Sequence, residues 1–173
     1  MTTGDPGAVT QTGFTKLQRS GVIQVEETRC LACRECEVAC SLHHEQECNP
    51  ALSRVQIDFN DYVPGFPSIR VCKQCDYPAC LYACAARWDE PALKVDPDTG
   101  ARYIDPELCR GCGDCARACP LSPDHSVLSF KRVGRKRVYI KCDLCSDRPE
   151  GPVCVAICPG SALTYIPAQE RRR

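Results

Sequence analysis

The sequence predicts a small α+β protein of short hairpins and short helices, with little continuous apolar core. Three observations carry that expectation. Cysteine supplies 17 of 173 residues, and aromatic residues only 6%. Short alternating stretches are punctuated by Gly, Pro and Asp turn signals. A cysteine share of roughly 10% marks a disulfide scaffold or a metal framework rather than an ordinary interior. The length fits one compact domain, and metal ligation would hold it more than apolar packing does.

In chain order, residues 1–20 read as a flexible tail and residues 21–173 as a single domain. Residues 21–25 alternate weakly and lead into the first cysteine run. Residues 52–59 (LSRVQIDF) and 68–71 form a strand pair around the turn Pro64-Gly65-Phe66-Pro67. Residues 92–95 and 102–104 flank Asp-Pro-Asp-Thr-Gly, a hairpin signal. Residues 126–133 and 135–141 repeat the pattern around Gly134, and residues 162–166 make a closing strand. Each final cysteine of a run is expected to open a short helix, as in Cys115-Ala116-Arg117-Ala118-Cys119. The ends, 1–20 and 169–173, are candidates for wrapping a neighbouring subunit.

The cysteines fall into runs. Cys30, Cys33, Cys36 and Cys40 are spaced C-x2-C-x2-C-x3-C; Cys72, Cys75, Cys80 and Cys84 are spaced C-x2-C-x4-C-x3-C. Cys109, Cys112, Cys115 and Cys119 repeat the first spacing and end in Pro120; Cys142, Cys145, Cys154 and Cys158 have a longer middle gap and end in Pro159. Only Cys48 is left over. Three closely spaced cysteines let one loop wrap three corners of a cubane, with backbone N–H groups aimed at its sulfides. In the bacterial-ferredoxin run the fourth cysteine ligates the other cluster of a pair. Four runs therefore make two interlocked pairs and four [4Fe-4S] clusters. By spacing alone the partners are open: nested pairing, or first with second and third with fourth.

Two other readings use the same cysteines. Structural zinc takes four ligands, usually as two C-x2-C knuckles, which leaves the third and fourth cysteines of each run without a reason. A disulfide scaffold requires export, and residues 1–20 show no basic start followed by an apolar stretch. No apolar run reaches the roughly 18 residues of a membrane span. A reducing cytoplasm is the expected compartment, with export on a signal-bearing partner left open. Lys plus Arg equals Asp plus Glu at 22 each, so charge gives no sign of nucleic-acid binding. There is no nucleotide-binding glycine loop and no acid–base or nucleophilic set outside the cysteines, so the chain reads as non-catalytic.

From residue 29 to about 166 the chain resembles the four-cluster, ferredoxin-like subunits of molybdenum and tungsten oxidoreductases, the broad dimethyl sulfoxide reductase iron–sulfur family. CLACRECEVACSLHHEQECNPALSRVQI and CDLCSDRPEGPVCVAICPGSAL are similar to the small subunits of tungsten aldehyde oxidoreductases of the aldehyde:ferredoxin type. Subunits of tungsten benzoyl-coenzyme A reductases are similar too. The resemblance implies a duplicated bacterial-ferredoxin-like fold around four cubanes. Its outer module would be about 21–60 plus 126–167, and its inner module about 66–125. It also implies nested ligation. One cluster would take Cys30, Cys33, Cys36 and Cys158, and its companion Cys142, Cys145, Cys154 and Cys40. The inner pair would take Cys72, Cys75, Cys80 with Cys119, and Cys109, Cys112, Cys115 with Cys84. The implied role is an electron relay between a tungsten or molybdenum pterin subunit, acting on aldehydes or the corresponding acids, and a flavin (FAD) subunit or ferredoxin. Dimethyl sulfoxide reductase, formate dehydrogenase and hydrogenase complexes are alternative settings. Head-to-tail self-association is a further possibility.

A basic residue sits beside the first cysteine of each run: Arg29, Lys73, Arg110 and Lys141. A cation roughly 8 Å from a cluster, at an effective dielectric near 20, favours the reduced state by about 2 kcal/mol. For a one-electron couple that is about 90 mV. Chance surface charge is the competing reading. Lys131-Arg132-Val133-Gly134-Arg135-Lys136-Arg137 reads as a solvated hairpin or as a dock for an acidic partner. Cys48 reads as a surface or semi-buried thiol, and His43 and His44 as solvated or packing residues.

Overall fold

The computed structural model describes residues 17–59, 66–124 and 126–171. Among the described residues, eight short strands pair two by two, all antiparallel. The first, β1 (Val22–Val25), pairs with the last, β8 (Leu163–Ile166). β2 (Val55–Phe59) pairs with β3 (Pro67–Val71), and β4 (Leu93–Val95) with β5 (Arg102–Ile104). β6 (Leu128–Val133) pairs with β7 (Lys136–Lys141). All the strands expected from the sequence are present; β5 has the expected bounds, β3 begins one residue earlier, and the others are trimmed by one to three residues at their starts. Residues 60–65, which hold the first half of the expected Pro64–Pro67 turn, lie outside the described residues.

The alternation is what buries one face of each pair. Val55 and Ile57 of β2 face inward opposite Val71 and Ile69 of β3, and all four are buried. Val138 and Ile140 do the same on β7, while the outer residues of β6 face water. Buried cysteines are interleaved with these side chains throughout the core.

Helices lie between the pairs: α1 (Glu35–Glu45), α2 (Ala79–Arg87), α3 (Asp114–Ala118) and α4 (Val153–Ile157). α1 packs on α4, and α2 on α3. The outer layer therefore combines the first and last parts of the chain, and the middle of the chain forms an inner layer.

One local expectation needs correcting. The final cysteine of a run does not open a helix. In the third and fourth runs it ends one: Cys119 (φ −67°, ψ 126°) and Cys158 (φ −67°, ψ 107°) are extended residues just after α3 and α4. The cause is the following proline, whose ring excludes helical backbone at the residue before it. Cys40 and Cys84, with no proline behind them, lie inside α1 and α2.

The described ends are held to the inner layer. Ser20 is fully buried. Arg171 donates to the carbonyls of Gln74 at 2.8 Å and Lys73 at 3.2 Å, and its own carbonyl accepts from Arg19 at 2.8 Å. Residues 1–16 and 172–173 lie outside the described residues.

Two glycine turns differ in their surroundings. Gly100 (φ +71°) would place a Cβ 2.7 Å from the Arg19 carbonyl oxygen, whereas Gly134 (φ +60°) has nothing within 4 Å. Gly134→Ala is expected to destabilise by about 1–2 kcal/mol from left-handed strain alone. Gly100→Ala should lose roughly 1–3 kcal/mol more, because backbone must move. Denaturant midpoints of the iron-loaded proteins check this, and equal losses would contradict it.

Candidate metal centres

All seventeen cysteines are unbridged. Each run begins in a loop of the same form. The residue just before its second cysteine is left-handed in every case: Ala32 (φ 55°), Gln74 (φ 46°), Gly111 (φ 68°) and Leu144 (φ 64°). Three of these are not glycine, so the conformation carries strain of order 1–3 kcal/mol each. It curls the C-x2-C segment tightly around a centre. A backbone N–H also reaches a cysteine sulfur in each group. Ala162 N donates to Cys158 Sγ at 3.2 Å, Arg54 N to Cys40 at 3.3 Å, Gln74 N to Cys72 at 3.5 Å and Tyr139 N to Cys109 at 3.3 Å.

The fold brings the runs together across the chain. Cys30, Cys33, Cys36 and Cys158 line one recess, and Cys84, Cys109, Cys112 and Cys115 another. Cys145 and Cys154 have Cys40 as an electrostatic neighbour, and Cys154 also has Cys142. Cys80 is surrounded by Cys72, Cys119 and Cys75. These are four mixed groups, each with three cysteines of one run and the last of another. They lie in sequence through the protein: Cys36 borders Cys154, Cys142 borders Cys72, and Cys80 borders Cys115. Exposure differs between the groups. Cys33 is exposed in the first, Cys40, Cys142, Cys145 and Cys154 are all buried in the second, and Cys75 and Cys80 of the third and Cys112 of the fourth are partly open.

Burial raises these thiols. Cys36 and Cys115 are pushed up to about 12, Cys80 and Cys145 to about 11, and Cys142 and Cys154 still higher, with crowding by neighbouring thiols adding to it. Thiolates so buried require a strong Lewis acid. The sulfur spacing bears on its size. A single tetrahedral zinc with Zn–S of about 2.3 Å holds sulfurs about 3.8 Å apart. Among the described residues, no three cysteine sulfurs lie mutually within 4.8 Å. The groups are wider than one zinc holds and leave room for a polynuclear cluster.

The cations expected beside each run separate into two kinds. Arg29, Lys73 and Arg110 are exposed. Arg29 Nε donates to the Gly160 carbonyl at 3.1 Å, and Arg110 stacks 4.4 Å over Trp88. Lys141 is only 2% exposed; its ammonium donates to the carbonyls of Arg102 and Cys142. His44 is a packed residue whose Nε2 lies 3.6 Å from Cys145 Sγ; burial pushes its pKa down to about 4, leaving it neutral. His43 stacks on it at 4.6 Å and meets Asp147 at 3.2 Å. Cys48 is exposed and belongs to none of the groups.

The basic run on β6 and β7 is partly used internally: Lys131 pairs with Glu45, Lys136 Nζ donates to the Glu107 carbonyl at 3.2 Å, and Arg137 lies over Phe130. Sequence reasoning missed three buried polar residues near the groups. Glu37 follows Cys36 and accepts from Ile57 N at 2.8 Å. The side chain of Gln74 donates to the Cys142 carbonyl at 2.8 Å and accepts from Arg102 N at 2.8 Å, clipping inner loop to outer. The third is Arg102, 1% exposed. The adjoining cysteines were the signal that could have singled out Glu37 and Gln74; nothing in the sequence marks Arg102.

A fold of paired strands and short helices around four cysteine groups defines an iron–sulfur protein, and no helix among the described residues is long and apolar enough to cross a membrane. Comparison with known proteins agrees. The family model of the 4Fe-4S dicluster domain matches residues 65–166, more than half of the chain, and the chain belongs to that family. The polyferredoxin-like subunit of an aliphatic sulfonate oxidoreductase from Pyrococcus furiosus is 39% identical over 137 residues, covering 79% of this chain and 70% of that one. The electron transport protein HydN of Escherichia coli is 30% identical over 172 residues, covering 87% of this chain and 95% of HydN. Among solved structures, a chain of the BamBC active-site complex of benzoyl-coenzyme A reductase aligns at 26% identity with a TM-score of 0.47, covering 87% of this chain and 81% of that one.

Substitutions separate the groups from the leftover thiol. Cys48→Ser should leave iron content unchanged, whereas Cys154→Ser should lose about four iron per chain or destabilise the cluster signal of its group. Equal iron loss in both variants would contradict the assignment.

Proposed function

We propose that the chain is an electron relay carrying four [4Fe-4S] clusters, one on each cysteine group, in the nested arrangement. The supporting observation is the linear order of the groups, which opens to the surface at Cys33 at one end and at Cys112 at the other, with the second group wholly buried between them. Each cluster, when bound, takes up and releases one electron. The protein's own residues do the rest. The curled loops aim N–H groups at the sulfurs, burial of the second group excludes water, and the order of the groups leads from the Cys33 end to the Cys112 end. Correspondence between the outer layer (α1 with α4) and the inner layer (α2 with α3) supports a duplicated ferredoxin-like origin.

The relay serves a larger oxidoreductase, as the names of the relatives suggest. A tungsten or molybdenum pterin subunit is the proposed partner at one end, and a flavin subunit or ferredoxin at the other. Aldehyde oxidation or acid reduction is the proposed chemistry of that partner, and a reducing cytoplasm the proposed compartment. The relationship to HydN favours a second setting, a formate- or hydrogen-metabolising complex. Anaerobically purified protein should contain about sixteen iron and sixteen sulfide per chain with coupled EPR signals on reduction. Eight of each would halve the relay, and zinc without sulfide would overturn it. Tungsten, molybdenum or nickel in the copurifying partner would then distinguish the two settings.

A further inference from the structure

The loop from Cys72 to Asp76 carries more buried positive charge than the protein's carboxylates neutralise. Arg102 of β5 is 1% exposed. Its Nη1 donates to Ser20 Oγ at 3.0 Å and to the Gly100 carbonyl at 2.9 Å, but Nε and Nη2 are buried with no hydrogen-bond partner among the described residues. Lys141, at the end of β7, is 2% exposed, and its hydrogen bonds go to the carbonyls of Arg102 and Cys142. Asp76 is the neighbouring carboxylate, and it is already paired with Arg19 at 3.3 Å and Arg171 at 3.5 Å. Buried cations of this kind are strongly unfavourable unless an anion completes them. Asp76, shared with those two arginines, acts on Arg102 first, and sulfur makes up the rest: Cys72 and Cys75 act on Arg102, and Lys141 acts on Cys80, Cys119 and Cys142.

Lys141 also faces Cys142 of the second group, but there Asp143 opposes it, and among the described residues no cation is buried beside the first or the fourth. Beside the first lies a buried carboxylate, Glu37, whose partner Arg34 is half exposed. Beside the second, Asp143 is balanced by Arg54 at 2.5 Å, with His44 at 3.5 Å. Around the fourth, Arg87 and Arg117 both pair with Asp114 and face water, as does Arg110, where solvent screens them.

Building on the relay reading, we infer that the centre on Cys72, Cys75, Cys80 and Cys119 is the most easily reduced of the four, made so by the buried guanidinium of Arg102 and ammonium of Lys141. Reduction adds one negative charge to the centre, and an unscreened cation stabilises that state more than the oxidised one. Glu37 has the opposite effect at the first centre. The first electron to enter from either end therefore rests at an interior position of the relay, and later electrons pass over a relay already charged.

The test is an anaerobic potentiometric titration followed by EPR on the wild type, Arg102→Gln, Lys141→Gln, Arg102→Lys and Cys75→Ser. The first signal to appear on reduction should be the one that Cys75→Ser shifts or abolishes. Each Gln variant should lower the reduced-to-oxidised ratio of that signal at fixed potential at least tenfold, or 59 mV for a one-electron couple. Arg102→Lys, which keeps the charge, should lower it by less. If Arg102→Gln loads no iron, Lys141→Gln reads the same two outcomes. The inference falls if Cys33→Ser or Cys112→Ser, rather than Cys75→Ser, affects the first signal, or if neither Gln variant moves it. Iron and sulfide counts on the wild type keep the two levels apart. Sixteen of each with the wrong order overturns this inference alone, while zinc without sulfide overturns the relay itself.

Discussion

The constraint on which this structure depends is the burial of thiolate charge. Thiols pushed as high as Cys36 and Cys115, to about 12, do not ionise at neutral pH unless metal replaces the proton. Much of the local structure answers that need. The left-handed residues before Cys33, Cys75, Cys112 and Cys145 turn the backbone around each centre, and amide donors reach Cys40, Cys72, Cys109 and Cys158. The strand pairs supply little independent stability, since an isolated two-stranded hairpin is marginal in water. They are held because each one is anchored to a cysteine loop.

The same constraint explains the topology. A run whose last cysteine joins another group cannot be satisfied by its own hairpin, so the chain must return. β1 waits for β8, and α1 for α4, which brings Cys158 to the first loop. The middle of the chain closes on itself, through β4, β5, α2 and α3. Gln74 then joins the layers through the Cys142 carbonyl and Arg102 N, and Arg171 ties the C-terminal end to the same loop. Mechanical continuity and the order of the centres therefore come from one set of contacts.

The strands were legible because alternation and turn residues are local. Residues 55–57 and 69–71 alternate visibly, and Asp-Pro-Asp-Thr-Gly marks its own hairpin. The cysteine groups were legible because their spacing is chemical. Helix ends were misread, since Pro120 and Pro159 set them and the cysteine does not. The charge environment was the least legible part. Four cations beside the runs look alike in sequence, yet Lys141 alone is buried, because β7 runs inward while Arg29, Lys73 and Arg110 sit on outward loop positions. Arg102 lies seven residues before the third run and reaches the second through tertiary packing, so no local pattern marks it.

Iron-edge anomalous diffraction from crystals of anaerobically purified protein tests the central claim most directly. The account predicts four compact iron peaks in a line, with terminal peaks beside Cys33 and Cys112 and the interior pair between Cys154 and Cys80. Fewer than four peaks, a branched arrangement, or density at the zinc edge in their place would contradict it.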